Sequence, residues 1–173
     1  FGAEIPFIRP HDLSKDDVPD QPVLLHTLNE LFAIDGYQPD IVLNLRPTSP
    51  FKTAAIINDV ILEFGDSDVD LVRTLTKVEG VNHPYWMYKI DENGDAINFL
   101  EDINVSDYYQ SQLLPPIYRI NGVVDAYKVK KIYDGDILNG KIRTIIIEEN
   151  ESIDIDTDID FHLCESLLNN KKT

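Results

Sequence analysis

Two aspartates, Asp154 and Asp156, are the residues whose types and spacing most directly predict chemistry. Side chains alternate along an extended chain, so Ile153 and Ile155 would point one way and the two carboxylates the other. The stretch from Thr157 to Asp160 has the form of a helix capping box, which predicts that the carboxylates end a strand just before a helix. Ligands bind at that edge of an open α/β sheet. Two aligned carboxylates without a neighbouring Lys or Arg therefore predict a site for a hard divalent cation.

Two other interpretations of this acidic pair were weighed. Aspartates are common at strand ends and helix starts for capping alone, so a purely structural role gives the same pattern. The segment from Asp154 to Glu165 also matches the acidic positions of an EF-hand loop. The EF-hand is rejected because Ile159 stands where glycine is needed and residues 144–147 predict a strand where a helix is needed.

A second group of polar residues follows the apolar run at 40–46. That run predicts a central strand covered on both faces. The segment 47–50, Pro-Thr-Ser-Pro, ends the strand, so Thr48 and Ser49 would offer hydroxyls at its C-terminal edge and Arg46 a positive charge. An ordinary turn that caps the next helix has the same sequence, and the pattern alone does not separate the two.

The spacing of apolar residues predicts a three-layer α/β fold with a mostly parallel sheet, in one domain over residues 1–173. The predicted helices cover 17–32, 53–64 and the region after 157; the predicted strands cover 40–46, 68–78 and 143–147. A further strand contains Asn121-Gly122, and a glycine inside an apolar strand indicates close approach of a ligand or another backbone.

An excursion at about 80–118 interrupts this alternation and is rich in large side chains, beginning with the aromatic run at 83–88. Such a surface predicts contact with a second subunit. A local hydrophobic cluster explains the same composition equally well.

The composition excludes several classes of protein. The 173 residues are 43% hydrophobic and 27% charged, as in soluble globular proteins, and the formal net charge of -16 argues against nucleic-acid or anionic-membrane partners. The one cysteine, Cys164, cannot form an internal disulfide, and neither a membrane span nor a signal peptide is recognisable. We therefore expect a cytoplasmic protein.

Several segments in the same order resemble the acylneuraminate cytidylyltransferases, also called CMP-sialic acid synthetases, and their relatives acting on bacterial nonulosonic acids. The segments are 2–10 (GAEIPFIRP), 45–50 (LRPTSP), 83–87 (HPYWM), 114–122 (LPPIYRING), and 152–157 (SIDIDT) with Asp160. They span nearly the whole chain. The combination is far more specific than any one segment.

This resemblance implies a nucleotide-diphosphosugar transferase fold and a homodimer formed through the excursion. It implies that CTP and an acidic nine-carbon sugar give a CMP-sugar and pyrophosphate, with Mg²⁺ offsetting the developing charge. By motif match, Asp154 and Asp156 would be the catalytic metal ligands. Thr48, Ser49 and Asn121 would line the sugar and phosphate pocket.

Three positions depart from the family pattern. The usual Gln before Pro-Thr-Ser-Pro is Arg46, an Arg ten residues before Asn-Gly is Ser111, and a Tyr shortly after Asn-Gly is Asp125. Because these positions contact or neighbour the acid sugar, the sugar is not determined by the resemblance. One hypothesis is that Arg46 binds the sugar carboxylate in place of the missing arginine.

The family's first strand and its basic, glycine-containing triphosphate loop have no counterpart in this sequence, so we expect little or no turnover from these residues alone. Two alternatives to the leading function follow. One is a related nucleotidyltransferase that uses another keto-acid sugar or GTP. The other is a non-catalytic structural remnant.

Overall fold

A computed structural model of the chain describes residues 2–65 and 68–170. The helices in these ranges are α1 (Asp20–Asp35), α2 (Ala54–Leu62), α3 (Val129–Tyr133) and α4 (Asp158–Asn170). The strands are β1 (Ile41–Asn44), β2 (Leu71–Lys77), β3 (Tyr88–Ile90), β4 (Ala96–Asn98), β5 (Tyr118–Lys128) and β6 (Ile142–Ile146). The predicted helices are thus confirmed with shifted ends, as are the predicted strands at 40–46, 68–78, 143–147 and around Asn121-Gly122.

The described residues form a four-stranded sheet in the order β1-β5-β2-β6, and β3 and β4 form a separate hairpin. β5 is antiparallel to β1, with Ile41 opposite Lys128 and Asn44 opposite Asp125. β2 and β6 run in the same direction, because Lys141 and Ile147 bond to the start and the middle of β2 respectively. The α/β class is confirmed, with β5 running against the other strands.

The position of β1 differs from its prediction. β1 lies at an edge of the sheet, and each of its residues is only half-buried. The prediction of a central strand was wrong. A continuous apolar run indicates that both faces of a strand are buried, but it does not indicate which strands lie next to it.

Tertiary contacts divide the chain into two compact units, which are described separately. The first unit comprises Phe1–Pro47, Lys52–Arg73 and Val123–Ile145. Its core joins α1 to β2, β5 and α3, and consists of Leu24, Leu28, Leu71, Tyr127, Ile132 and Ile137. α2 also belongs to this unit, and the Thr53 hydroxyl caps it by accepting a hydrogen bond from the Ile56 N–H at 3.3 Å.

The second unit comprises Thr48–Phe51, Thr74–Gly122 and Ile146–Thr173. It contains the β3–β4 hairpin, α4 and most of the candidate site residues. Gly122, its last residue on β5, has φ of 68°, a left-handed conformation that favours glycine over residues with a Cβ. This residue therefore kinks β5 directly after Asn121.

The strand predicted to carry the acidic pair is not formed. β6 ends at Ile146, a 3-10 turn covers Glu149–Glu151, and residues 153–156 form neither a helix nor a strand. The prediction was wrong because the alternation of Ile and Asp is satisfied by any extended segment, and strand pairing requires a free neighbouring edge that the sequence does not reveal.

Candidate functional site

The segment with the acidic pair lies against the Pro-Thr-Ser-Pro bend. The backbone N–H of Ile155, between the two aspartates, donates to the carbonyl oxygen of Thr48 at 2.9 Å. Thr48 is exposed and Ser49 is fully buried. The structure therefore brings together two motifs that are more than a hundred residues apart in sequence.

Asp154 and Asp156 differ in their surroundings. Asp154 is half-buried, and its Oδ1 atom is buried with no hydrogen-bond partner among the described residues. Asp156 is exposed. A buried carboxylate oxygen without a donor is costly unless a cation or another donor reaches it, so Asp154 has the character of a metal ligand.

The loop that carries Asp156 is fixed by the start of α4. One carboxylate oxygen of Asp160, Oδ2, accepts hydrogen bonds from the Thr157 hydroxyl at 2.7 Å, the Thr157 N–H at 2.8 Å and the Asp156 N–H at 3.2 Å. The Thr157 hydroxyl accepts in return from the Asp160 N–H at 3.4 Å, which confirms the predicted capping box. The bond from the Thr157 side chain, supported by these backbone donors, lowers the pKa of Asp160.

The metal ligands that this loop could supply suit Mg²⁺ better than a cation that must be surrounded by protein ligands alone. The described residues contain no group of three or more His, Cys, Asp or Glu side chains able to hold a metal ion. Mg²⁺ is commonly bound through one or two carboxylates, with waters and substrate phosphates as its other ligands. Asp154 and Asp156 together with a nucleotide triphosphate fit that requirement.

Asn121 is held in the interior by two threonines of β2. Its Oδ1 accepts from the Thr74 hydroxyl at 2.6 Å, and its Nδ2 donates to the Thr76 hydroxyl at 2.9 Å. The residue is 5% exposed. In this conformation the amide positions β5 next to the kink at Gly122, and its predicted role in lining the pocket stays a prediction.

Arg119 is a residue near the acidic pair that the sequence reasoning did not select. Its Nη2 donates to Glu149 Oε1 at 2.9 Å and to the Ser152 hydroxyl at 3.2 Å, and that hydroxyl donates to the Glu149 carbonyl oxygen at 3.0 Å. Arg119 therefore fixes the turn that leads into the segment with the acidic pair. The signal was present, because Arg119 lies inside the quoted segment 114–122.

Arg46 lies in the first unit and is already paired. Its Nη2 donates to Asp20 Oδ2 at 3.1 Å, and the Asn44 side chain donates to the same oxygen at 3.1 Å. Both partners of the ion pair are more than 40% exposed, at 44% and 43%. A substrate carboxylate would have to compete with Asp20 for this guanidinium.

A second ion pair in the first unit is almost completely buried. Arg73 Nε donates to Asp125 Oδ1 at 2.9 Å, and the two side chains are 11% and 4% exposed. Burial raises the pKa of nearby Tyr127 to about 12, and the negative charge of Asp125 adds to the increase. Asp125, which departs from the family's tyrosine, is thus half of a buried ion pair that joins β2 to β5.

The excursion in the second unit is held together by its own side chains. His83 is buried; its Nδ1 accepts from the Tyr85 N–H at 3.2 Å and its Nε2 lies 3.1 Å from the Pro115 carbonyl oxygen. Tyr85 packs edge-on against Tyr108, whose carbonyl oxygen accepts from the Trp86 indole at 2.7 Å. A local cluster is therefore present, and the contact with a second subunit stays a prediction.

Comparisons with known proteins identify proteins that are similar to this chain in sequence. No family model matches the chain. The chain is 27% identical over 179 residues to CMP-N,N'-diacetyllegionaminic acid synthase of Legionella pneumophila, covering 97% of this chain and 70% of that protein. It is 23% identical to post-translational flagellin modification protein B of Campylobacter coli, covering 99% and 71% respectively.

Two solved structures are also similar. A 4-diphosphocytidyl-2C-methyl-D-erythritol synthase from Anaerococcus prevotii has a TM-score of 0.55 and 16% identity, covering 91% of this chain and 74% of that one. A CMP:2-keto-3-deoxy-manno-octonic acid synthetase complexed with CTP has a TM-score of 0.60 and 12% identity, covering 90% and 70%. The chain therefore shares its fold with these two proteins.

The resemblance found in the sequence motifs is confirmed at the level of the whole chain, which is similar to a CMP-N,N'-diacetyllegionaminic acid synthase over 97% of its length. Among the described residues, no helix is both long enough and apolar enough to cross a membrane.

Proposed function

We propose that this protein is a nucleotidyltransferase that activates an acidic nine-carbon sugar with CTP, giving a CMP-sugar and pyrophosphate. The observation that carries the proposal is the contact between Ile155 and Thr48, because it unites the acidic pair with the hydroxyl-bearing bend. The similarity to a CMP-N,N'-diacetyllegionaminic acid synthase supports the choice of CTP and of an acidic sugar.

In the proposed reaction, the anomeric hydroxyl oxygen of the sugar attacks the α-phosphorus of CTP. The new O–P bond forms as the bond to the β-phosphate breaks, so pyrophosphate leaves with the bonding electrons and the hydroxyl loses its proton. Asp154 and Asp156 would hold Mg²⁺, which when bound offsets the charge that develops on the phosphates.

The chain's own contribution to this reaction is mainly positioning. The Asp160 carboxylate accepts hydrogen bonds from the backbone N–H groups of Asp156 and Thr157, and these bonds fix the loop. Thr48 is exposed, so its hydroxyl is available to a phosphate or sugar oxygen. Phosphoryl transfer depends on positioning and electrostatics more than on covalent help from the protein. The hydrogen bond that holds the loop against the bend therefore supports the positioning that this reaction needs.

Binding of CTP in the presence of Mg²⁺, measured by calorimetry, tests the nucleotide and metal site without requiring turnover. We expect Asp154→Asn to weaken CTP binding at least tenfold in Mg²⁺ and to have little effect in EDTA. Asp158→Asn is the matched control, because Asp158 is an exposed aspartate in the first turn of α4. Formation of pyrophosphate and CMP-sugar is then measured with the candidate acids.

The same measurements decide between the alternatives. Binding of GTP rather than CTP would replace the nucleotide in this proposal, and turnover with a different keto-acid sugar would replace the sugar. If Asp154→Asn and Asp156→Asn change neither metal nor nucleotide binding, the protein is a non-catalytic remnant of the fold.

The homodimer predicted from the sequence is part of this proposal. The hairpin and the segment after it expose Tyr88, Ile90, Ile97, Phe99 and Tyr109, with exposed fractions between 45% and 70%. Such a concentration of exposed apolar side chains is typical of an interaction surface. Light scattering should give twice the chain mass for the wild type and less for Ile90→Asp. A cytoplasmic location is likewise proposed.

A further inference from the structure

A pocket of about 430 Å³ lies in the first unit at the start of β1. It is formed by the second half of α1, the three residues before β1, and α3. Three aromatic side chains line it, those of Phe32, Tyr37 and Tyr133, and it is called the aromatic pocket below. None of the residues selected from the sequence motifs lines it. Its volume is within the range of about 300–1,000 Å³ that is usual for pockets that hold small molecules.

The aromatic side chains of this pocket are open to solvent. Phe32, Tyr37 and Tyr133 are 53%, 55% and 54% exposed. Single exposed aromatic residues are ordinary on protein surfaces, but these three line one concavity. Its floor is formed by Leu28, which is 3% exposed, and by Val129, which packs against the core. The pocket therefore has an apolar floor and aromatic walls that a ligand can reach.

The end of α1 holds two of the rings in place. The Gly36 N–H donates to the Phe32 carbonyl oxygen at 2.9 Å, and Gly36 has φ of 73°, a conformation that favours glycine. The Tyr37 N–H then donates to Asp35 Oδ1 at 3.0 Å. These bonds fix the turn that follows Phe32, so the two rings are positioned before any ligand arrives.

The charge around the aromatic pocket is negative. Asp40 lines it, and among the described residues the Asp40 carboxylate has no hydrogen-bond or ion-pair partner. No Lys, Arg or His among the described residues lines it. Lys130, next to Val129, lines a neighbouring groove and is paired with Asp134. A cation that approaches the pocket is therefore attracted and an anion is repelled.

We propose that the aromatic pocket binds a small organic cation that carries a methylated ammonium group. The faces of aromatic rings attract such cations, and quaternary ammonium ligands are bound by several aromatic side chains together. The apolar floor suits the methyl groups of the cation, and Asp40 supplies the opposite charge. A neutral apolar ligand would gain nothing from that charge. The site goes beyond the proposed function, because it involves neither the acidic pair nor the bend.

The experiment titrates the full chain with choline and with 3,3-dimethylbutan-1-ol, which has the shape of choline with carbon in place of the charged nitrogen. Amide NMR shifts report the binding. Choline should give saturable shifts at Tyr37 and Tyr133. The alcohol should bind about tenfold more weakly, because it lacks the charge that the rings and Asp40 attract.

Two variants separate the contribution of a ring from that of the charge. Tyr133→Leu keeps an apolar side chain and removes one aromatic face, so choline binding should weaken about 2- to 5-fold while binding of the alcohol changes little. Asp40→Asn keeps the shape and removes the charge, so choline binding should weaken and lose part of its dependence on salt. Both residues are exposed, so both variants should fold. Tyr109→Leu is the matched control, because Tyr109 is 70% exposed and does not line the pocket.

Equal affinity for choline and for the alcohol would overturn the inference, as would the absence of saturable shifts with choline. Unchanged choline binding in both Tyr133→Leu and Asp40→Asn would overturn it as well. A protein that binds CTP through Asp154 but does not bind choline refutes this inference and leaves the proposed function intact. A protein that binds choline through the aromatic pocket but does not bind CTP refutes the proposed function and leaves the cation site.

Discussion

Ile155 and Thr48 are joined by a single main-chain hydrogen bond of 2.9 Å, and this bond holds the acidic pair against the bend. Ile155→Pro removes the donor and cannot form the bond. We expect this variant to lose most of its CTP and Mg²⁺ binding in calorimetry while α4 and the sheet stay folded.

Ile155→Val is the control for that substitution, because it keeps the N–H and changes the side chain by one methyl group. Unchanged CTP binding in the proline variant would show that the bend and the acidic pair work independently.

Arg119→Gln tests whether the turn at Glu149–Glu151 positions the metal ligands. The ion pair with Glu149 is 40% and 71% exposed, so its loss should lower the free energy of unfolding by no more than about 1 kcal/mol. Metal affinity should nevertheless fall several-fold, because the segment that begins at Ser152 loses an anchor. Lys77→Gln, which removes the exposed pair with Glu79, is the control and should leave metal affinity unchanged.

Asn121→Leu should be strongly destabilising. It removes the hydrogen bonds of the amide to Thr74 and Thr76 and leaves those hydroxyls buried, which typically costs about 2–4 kcal/mol for the two bonds together. Urea denaturation measures the loss. A change in sugar binding without a change in stability would instead indicate that the amide contacts the ligand directly.

Arg73→Gln should also lower stability, because Asp125 is then left charged and buried. Breaking a buried ion pair on one side costs about 3–5 kcal/mol, whereas replacing both partners by neutral residues costs much less. The double variant with Asp125→Asn should therefore be more stable than the single one in urea denaturation. The reverse order would mean that Asp125 has another charge partner.

The capping carboxylate of Asp160 gives a prediction for pH. Its pKa is lowered in the folded protein, so its contribution to stability is complete above the ordinary aspartate pKa of about 3.9 and is lost as the pH falls through the lowered value. We expect the start of α4 to fray below about pH 4, as measured by amide NMR. In Asp160→Asn the amide shifts of Asp156 and Thr157 should lose the part of their pH response that comes from the Asp160 carboxylate.

Local features of this protein could be predicted from sequence, and non-local ones could not. The capping box at Thr157 depends on residues three apart, so its pattern was sufficient. The unpaired state of residues 153–156 and the edge position of β1 depend on which strands are neighbours, and residue spacing does not contain that information.

The buried pair of Arg73 and Asp125 shows the same distinction within the first unit. The two residues are 52 positions apart, and neither stands in a recognisable motif with the other. Their meeting follows from the alignment of β5 beside β2, which the order of strands determines. The motifs identified the acidic pair, whereas this buried ion pair required coordinates.

The buried Oδ1 atom of Asp154 has a consequence for the ion-free protein. A carboxylate oxygen that is buried without a hydrogen-bond donor destabilises the folded conformation of its loop until a cation binds to it. Cation uptake and loop order should then reinforce each other, so that the melting temperature of this protein would report the concentration of free divalent ion.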